Sequence, residues 1–187
     1  MIKKFIPNSY YKSIFDIPYA KLYEDGYRLI LTDLDNTLIS YRETLPNERI
    51  KKLKEEIEAL GFEFILVSNS KKARVDNFAK DFNIPYVKFA TKPLKRGIKK
   101  AIKKVAKNRY DKNQIIIMGD QLITDILGGN RCGITTFLIE PIERESEAKV
   151  TKRNRKIERF FLKKIKKKYP LKYEELLNDF GGDLKWL

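Results

Sequence analysis

The chain has 187 residues, 42% of them hydrophobic, with 40 Lys and Arg against 25 Asp and Glu for a net charge of +15. It holds one cysteine (Cys132) and no histidine, which excludes internal disulfides, Ser-His-Asp triads and zinc sites built from histidine or several cysteines. Chemistry in this chain has to rest on carboxylates, lysines, hydroxyls and backbone groups.

Residues 1–26 are aromatic and irregular (Tyr10, Tyr11, Phe15, Tyr19, Tyr23) and are expected to pack across one end of a sheet. Five apolar runs then read as strands: 27–31, 62–67, 86–89, 115–118 and 134–139. Their apolar residues are mostly continuous, as expected for strands covered on both faces. Helical stripes separate them. Ile50, Leu53, Ile57 and Leu60 share one face, with Gly61 as a fitting stop. Val75, Phe78, Ala79 and Phe82 form a second stripe, and Leu94, Ile98, Ala101, Ile102 and Val105 a third, with basic residues opposite. Residues 122–131 read as a short fourth helix before Gly133. Strand and helix alternating in this way predict an α/β domain, a five-stranded parallel sheet wound by right-handed crossovers with helices on both faces.

The charge is concentrated in two places. Residues 92–112 carry ten Lys and Arg against Asp111, and residues 149–172 carry twelve against Glu158, so the rest of the chain is net acidic. In the second segment Val150, Ile157, Phe160, Phe161 and Ile165 fall on one helical stripe, followed by a less regular end near Pro170 and Gly181-Gly182. That stripe fits either docking on the domain or a membrane interface with lysines toward anionic headgroups. Nucleic acid is the other polyanion that such charge attracts. No run of 18 apolar residues predicts a spanning segment, and the expected setting is cytoplasmic, with a peripheral membrane contact allowed.

Four polar motifs sit at strand ends, where open α/β sheets bind ligands. The first strand runs into Asp33-Leu34-Asp35-Asn36-Thr37-Leu38, and the second into Ser68-Asn69-Ser70. Lys92-Pro93 precedes the basic helix, and the fourth strand ends in Gly119-Asp120 with Asp125 five residues on. Carboxylates crowded at one strand end repel one another, so a hard divalent ion, Mg²⁺, is the natural counterion, with a lysine to hold phosphate oxygens.

These motifs, in this order and spacing, resemble the haloacid dehalogenase (HAD) superfamily. Ile-Pro-Asn near the start, Thr-Lys-Pro-Leu, and Gly-Asp-Gln-Leu-Ile-Thr-Asp-Ile-Leu-Gly-Gly-Asn-Arg narrow the resemblance to its class IIIA, YqeG-like phosphatases, over roughly residues 5–142. The resemblance implies that Asp33 is the nucleophile and a Mg²⁺ ligand. It implies that Asp35 is general acid and base, its backbone carbonyl completing the protein's share of the metal shell. Asp120 would bind Mg²⁺ directly and Asp125 would orient the site from behind. Ser68, Asn69 and Lys92 would bind the transferring phosphoryl group.

Only 34 residues separate Asp33 from Ser68, too few for a cap domain, so an open site and a large or surface-bound substrate are expected. Residues 1–142 are thus read as a capless phosphatase domain and 143–187 as a basic amphipathic helical extension. The substrate expectation is a phosphomonoester, and among relatives of this family some act on phosphatidylglycerophosphate. Phosphorylated nucleic-acid ends or nucleotides are the second reading, and a catalytically idle RNA- or membrane-binding scaffold the third.

Overall fold

A computed structural model describes residues 2–71, 73–106 and 109–180. Six strands form one sheet: β1 (Ser9–Tyr11), β2 (Leu29–Thr32), β3 (Glu63–Val67), β4 (Tyr86–Val87), β5 (Ile115–Gly119) and β6 (Thr135–Ile139). Their order is β1-β6-β5-β2-β3-β4, and every pairing is parallel. The central strand β2 is buried along its whole length, consistent with its unbroken Leu-Ile-Leu-Thr run.

The helices are α1 (Tyr19–Glu24), α2 (Glu48–Ala59), α3 (Ala73–Asp81), α4 (Lys95–Ala106), α5 (Leu127–Cys132), α6 (Lys149–Lys168) and α7 (Pro170–Leu176). Strand side chains alternate between two cores. On one face Ile30, Phe64, Leu66, Ile116 and Met118 pack with Ile50 and Ile57 of α2 and Val75 and Phe78 of α3. On the other, Leu29, Leu31, Ile65, Val67 and Ile117 pack with Ile98 and Ala101 of α4. A third cluster joins Phe5, Leu122, Ile126 and Leu138 to Leu162 and Ile165 of α6 and Tyr173 of α7.

The sheet has six strands, not the expected five. The aromatic N-terminal segment does not merely cross the sheet end; Ser9–Tyr11 adds an edge strand beside β6. Asn8 sets its register, its backbone N–H donating to the Thr136 carbonyl at 2.9 Å while its Oδ1 accepts the Thr136 N–H at 2.9 Å. Strand β4 is shorter than expected, because Phe89 and Thr91 turn to positive φ (52° and 55°) immediately after it. Residues 122–131 are helical but begin as a π-helical stretch, Leu122–Ile126, and the chain leaves α5 through Gly133 at φ 74°.

Pro170 opens a further helix instead of ending in irregular chain, since a proline without an N–H is tolerated in the first helical turn. Gly181 and Gly182 lie outside the described residues. The tail stripe also divides differently. The buried positions of α6 are Thr151, Arg155, Glu158, Leu162 and Ile165, spaced 4, 3, 4 and 3, while Val150, Ile157 and Phe160 are 60%, 42% and 53% exposed. No helix among the described residues is long and apolar enough to cross a membrane.

Candidate active site

The C-terminal ends of β2, β3 and β5 lie side by side, because β2 pairs with both of its neighbours in the same direction. This brings Asp33, Ser68 and Asp120 to one edge of the sheet. Asp33 directly follows β2 and is anchored by its N–H, which donates to the Met118 carbonyl at 3.0 Å. The chain then turns at Asn36, held at φ 62°.

Lys92 enters from the loop after β4 and is buried. Its Nζ donates to Asp33 Oδ1 at 2.8 Å and to Asp125 Oδ1 at 2.6 Å. Asn69 explains why the lysine stays there: its side chain accepts the Lys92 N–H at 2.7 Å and donates to the Lys92 carbonyl at 3.0 Å. The Lys92-Pro93 peptide is cis. Ser68 is buried, with its Oγ accepting the Ser70 N–H at 3.0 Å.

Asp125 sits on the π-helical stretch. Its second oxygen accepts the Thr124 hydroxyl at 2.9 Å and the Gln121 N–H at 3.2 Å. Gly119 makes this approach possible, since a Cβ at that position would lie 2.3 Å from Asp125 Cγ. Oxygens of Asp33, Asp120 and Asp125 all fall within 4.8 Å of one another, and all three residues are buried. Asp120 Oδ1 is buried without a hydrogen-bond partner. Three converging carboxylates with an oxygen left unpaired match the oxygen-only donor set of a hard divalent cation.

The electrostatics agree. Burial pushes the Asp33 carboxyl up to about 7, against the pull of Lys92, with Asp125 and Asp35 adding to the rise. Asp120 is raised well above the usual carboxylate range, again chiefly by burial, with Arg155 opposing. Lys92 is disfavoured as a cation by burial, yet Asp125 and Asp33 outweigh this and hold it above its ordinary value. A dication among these carboxylates favours their charged forms.

The Asp35 side chain lies outside the three-carboxylate cluster. It pairs with Arg74 of α3, whose Nε donates to the Glu43 carbonyl at 2.6 Å and whose Nη2 donates to the Ser40 carbonyl at 2.7 Å. Sequence reasoning passed over Arg74, because an arginine on a helix flank carries no strand-end signature.

It also passed over Arg155 of α6, whose guanidinium is buried behind Asp120. Nη1 donates to the Asp120 carbonyl at 2.7 Å and to Glu158 Oε2 at 3.0 Å. Nε and Nη2 donate to Glu147 Oε1 at 2.9 and 2.8 Å, and Nη2 also contacts Asp120 Oδ2. Glu147 in turn accepts from Asn36 Nδ2 at 3.3 Å, linking the tail to the loop that carries Asp33. The available signal was Glu158, the lone acid of a strongly basic segment, three residues from Arg155 on one helical face.

The family described as mitochondrial PGP phosphatase matches residues 2–143. "Probable phosphatase YqeG" of Bacillus subtilis (strain 168) is 36% identical over 176 residues, 94% of this chain and 100% of that protein. Among solved structures, an uncharacterized protein from Listeria monocytogenes serotype 4b aligns with a TM-score of 0.50 at 18% identity, over 63% of this chain and 84% of that one, a likeness of fold. YfnB of Bacillus subtilis, described as a HAD-hydrolase and bound to magnesium, aligns with a TM-score of 0.46 at 14% identity, over 64% and 91%.

Proposed function

The chain belongs to the mitochondrial PGP phosphatase family and is a HAD-type phosphatase, and on that premise we propose that it hydrolyses a phosphomonoester through an aspartyl-phosphate on Asp33. The observation that carries this reading is the buried cluster of Asp33, Asp120 and Asp125, clamped by Lys92 and left with an unpaired oxygen on Asp120. Asp33, Asp120 and the backbone carbonyl of Asp35 would hold Mg²⁺, which when bound supplies positive charge against the phosphoryl oxygens and the nucleophile.

In the first step an Asp33 oxygen attacks phosphorus, the ester P–O bond breaks, and the departing alkoxide takes a proton from Asp35. In the second, Asp35 accepts a proton from water, the water oxygen attacks phosphorus, and Asp33 is released with inorganic phosphate. Lys92 supports both steps by holding Asp33 in place and screening its charge from an anionic substrate. Asp125, with one oxygen on Lys92 and the other on Thr124 and Gln121, acts by keeping that lysine aimed. Ser68 and Asn69 border the same edge, where Ser68 and the Asn69 N–H would receive the phosphoryl oxygens. Arg74 keeps Asp35 at the mouth, and the contact must slacken when Asp35 carries its proton.

The substrate class we propose is a phosphate on an anionic lipid, with phosphatidylglycerophosphate as the first compound to try. Among the described residues no cap domain is inserted between Asp33 and Ser68, where the chain is a loop, α2 and β3. The exposed Val150, Ile157 and Phe160 lie among the exposed lysines of α6, an arrangement that suits a peripheral, cytoplasmic protein resting on an anionic membrane. Nucleic acid would account for the charge, and for Phe160 by base stacking, but not for the outward aliphatic Val150 and Ile157.

The test is phosphate release with Mg²⁺ from vesicles of phosphatidylglycerophosphate, from 5′-phosphorylated oligonucleotides and from small phosphate esters. The wild type should turn over the vesicles fastest, and Asp33→Asn should abolish turnover while leaving the fold intact. Phosphatase activity surviving in purified Asp33→Asn would overturn the mechanism, and a preference for oligonucleotides would overturn the lipid assignment.

A further inference from the structure

We infer that Arg155, contributed by the C-terminal helix, is a positioning residue that holds Asp120 in the rotamer from which it receives a divalent cation. The inference rests on the phosphatase reading only for the identity of that cation; the geometry stands by itself. The family match ends at residue 143, and Arg155 reaches Asp120 from beyond it.

Arg155 engages both the backbone carbonyl and the Oδ2 of Asp120. Two donors of one planar guanidinium thus fix where the residue sits and which way its carboxylate turns. The consequence is visible at the other oxygen. With Oδ2 taken, Oδ1 is the oxygen left buried and unpartnered, on a residue whose carboxylate converges with those of Asp33 and Asp125. A carboxylate at this strand end without such a hold would meet two like-charged neighbours and turn away from them.

Arg155 is itself fixed. Glu147 and Glu158 receive its remaining donors, Glu158 also accepts the Ile123 N–H at 3.3 Å, and Tyr41 donates to or accepts from the Thr151 hydroxyl at 2.7 Å one turn earlier. The outer oxygens of Asp120 are therefore oriented as a metal's outer partners orient its ligands, by hydrogen bonds from a rigid second layer. A lysine has a single charged nitrogen and would not reproduce the paired contacts.

The experiment titrates Mg²⁺ into the full-length protein by calorimetry for wild type, Arg155→Lys, Glu158→Gln and Asp33→Asn, with circular dichroism as the fold control. Arg155→Lys keeps the buried charge balanced and should fold. Its Mg²⁺ affinity should fall by about 10- to 100-fold, the usual cost of losing a metal's outer partner. Its KM for substrate at saturating Mg²⁺ should stay unchanged and its activity should recover as Mg²⁺ is raised. Glu158→Gln, which meets Arg155 at Nη1 and leaves the Nη2 contact with the Asp120 carboxylate in place, should shift Mg²⁺ affinity less than threefold.

Equal Mg²⁺ affinity in wild type and Arg155→Lys would overturn the inference, as would equal losses in Arg155→Lys and Glu158→Gln, which mark a purely structural hub. Because the readout is binding, it separates from the phosphatase reading. A wild type whose Mg²⁺ binding depends on Arg155 yet which releases no phosphate would break that reading and leave this one standing.

Discussion

Helices α4 and α6 draw on the same few residue types, lysine above all, and face the protein in opposite ways. In α4 the inward positions Ile98 and Ala101 are apolar and fully buried, and the lysines Lys99, Lys100, Lys103 and Lys104 are exposed. In the first half of α6 the inward positions are Thr151, Arg155 and Glu158, and the exposed ones include Val150 and Ile157. Only further along, at Leu162 and Ile165, does α6 bury apolar surface. Helix α4 is a sheet cover with a solvated basic face. Helix α6 places two of its charges, Arg155 and Glu158, inside the molecule and some of its apolar surface outside. A run of positive charge therefore says little by itself; what matters is whether a carboxylate waits behind it.

The comparison is broken most severely at Arg155. Replacing it by methionine leaves Glu147, Glu158 and Asp120 buried around one another without their cation, a loss expected to cost about 3–5 kcal/mol. The same change at Lys99 or Lys103 of α4 removes an exposed charge and should move stability by no more than about 0.5 kcal/mol. Urea unfolding of the three variants checks this. An Arg155→Met protein as stable as Lys99→Met would mean that the inward face of α6 is not the buried network described.

A smaller effect should be shared by the two helices. Ile98 and Ile165 are each fully buried, so Ile98→Val and Ile165→Val should each lower stability by about 0.5–1.5 kcal/mol. Thermal unfolding distinguishes them if they differ. A neutral Ile165→Val would mean that the second half of α6 is loosely seated and that Arg155 alone fastens the tail.

Much of the site was readable because its residues lie beside strands in the chain. Asp33, Ser68 and Asp120 each follow a hydrophobic run, and a parallel sheet brings such ends together whatever else happens. Lys92 and Asp125 were assigned to the site through the resemblance of their motifs to the HAD pattern. Residues that reach the site from a helix were not readable. Arg155 meets Asp120 from 35 positions away and Arg74 meets Asp35 from 39, separations at which no local period links partners. Polar residues turned inward on α6 also carry the same pattern as a solvated face, so one apolar stripe was read where the structure divides it, Phe161 and Ile165 packing inward and Val150, Ile157 and Phe160 facing out. Strand β1 escaped for a different reason: three residues are too few to show alternation, and its place depends on Asn8 meeting Thr136.

The finest effect concerns what the outward face of α6 touches. Among the described residues, Arg155 is the only basic side chain of α6 in a salt bridge with a carboxylate, and Lys164, Lys167 and Lys168 line a groove with Ile2. Reversing Lys163 and Lys167 to glutamate should weaken binding to anionic vesicles by more than tenfold, each basic residue near such a surface being worth about 1 kcal/mol. Reversing Lys99 and Lys103 on α4 should do less, since that helix exposes lysines without an apolar stripe among them. The deciding variant is Val150→Ser. It is expected to leave folding stability within about 0.5 kcal/mol, because the side chain is already largely in water. Vesicle affinity should still fall about tenfold, as burying a valine side chain in the acyl boundary is worth about 1.5 kcal/mol. Added salt separates the contributions: it screens the lysines and leaves the valine effect in place. Vesicle binding that is lost entirely in salt and is indifferent to Val150→Ser would show that the apolar stripe does not enter lipid. It would put the outward face of α6 in the same category as that of α4, a surface whose charge only meets water and passing polyanions.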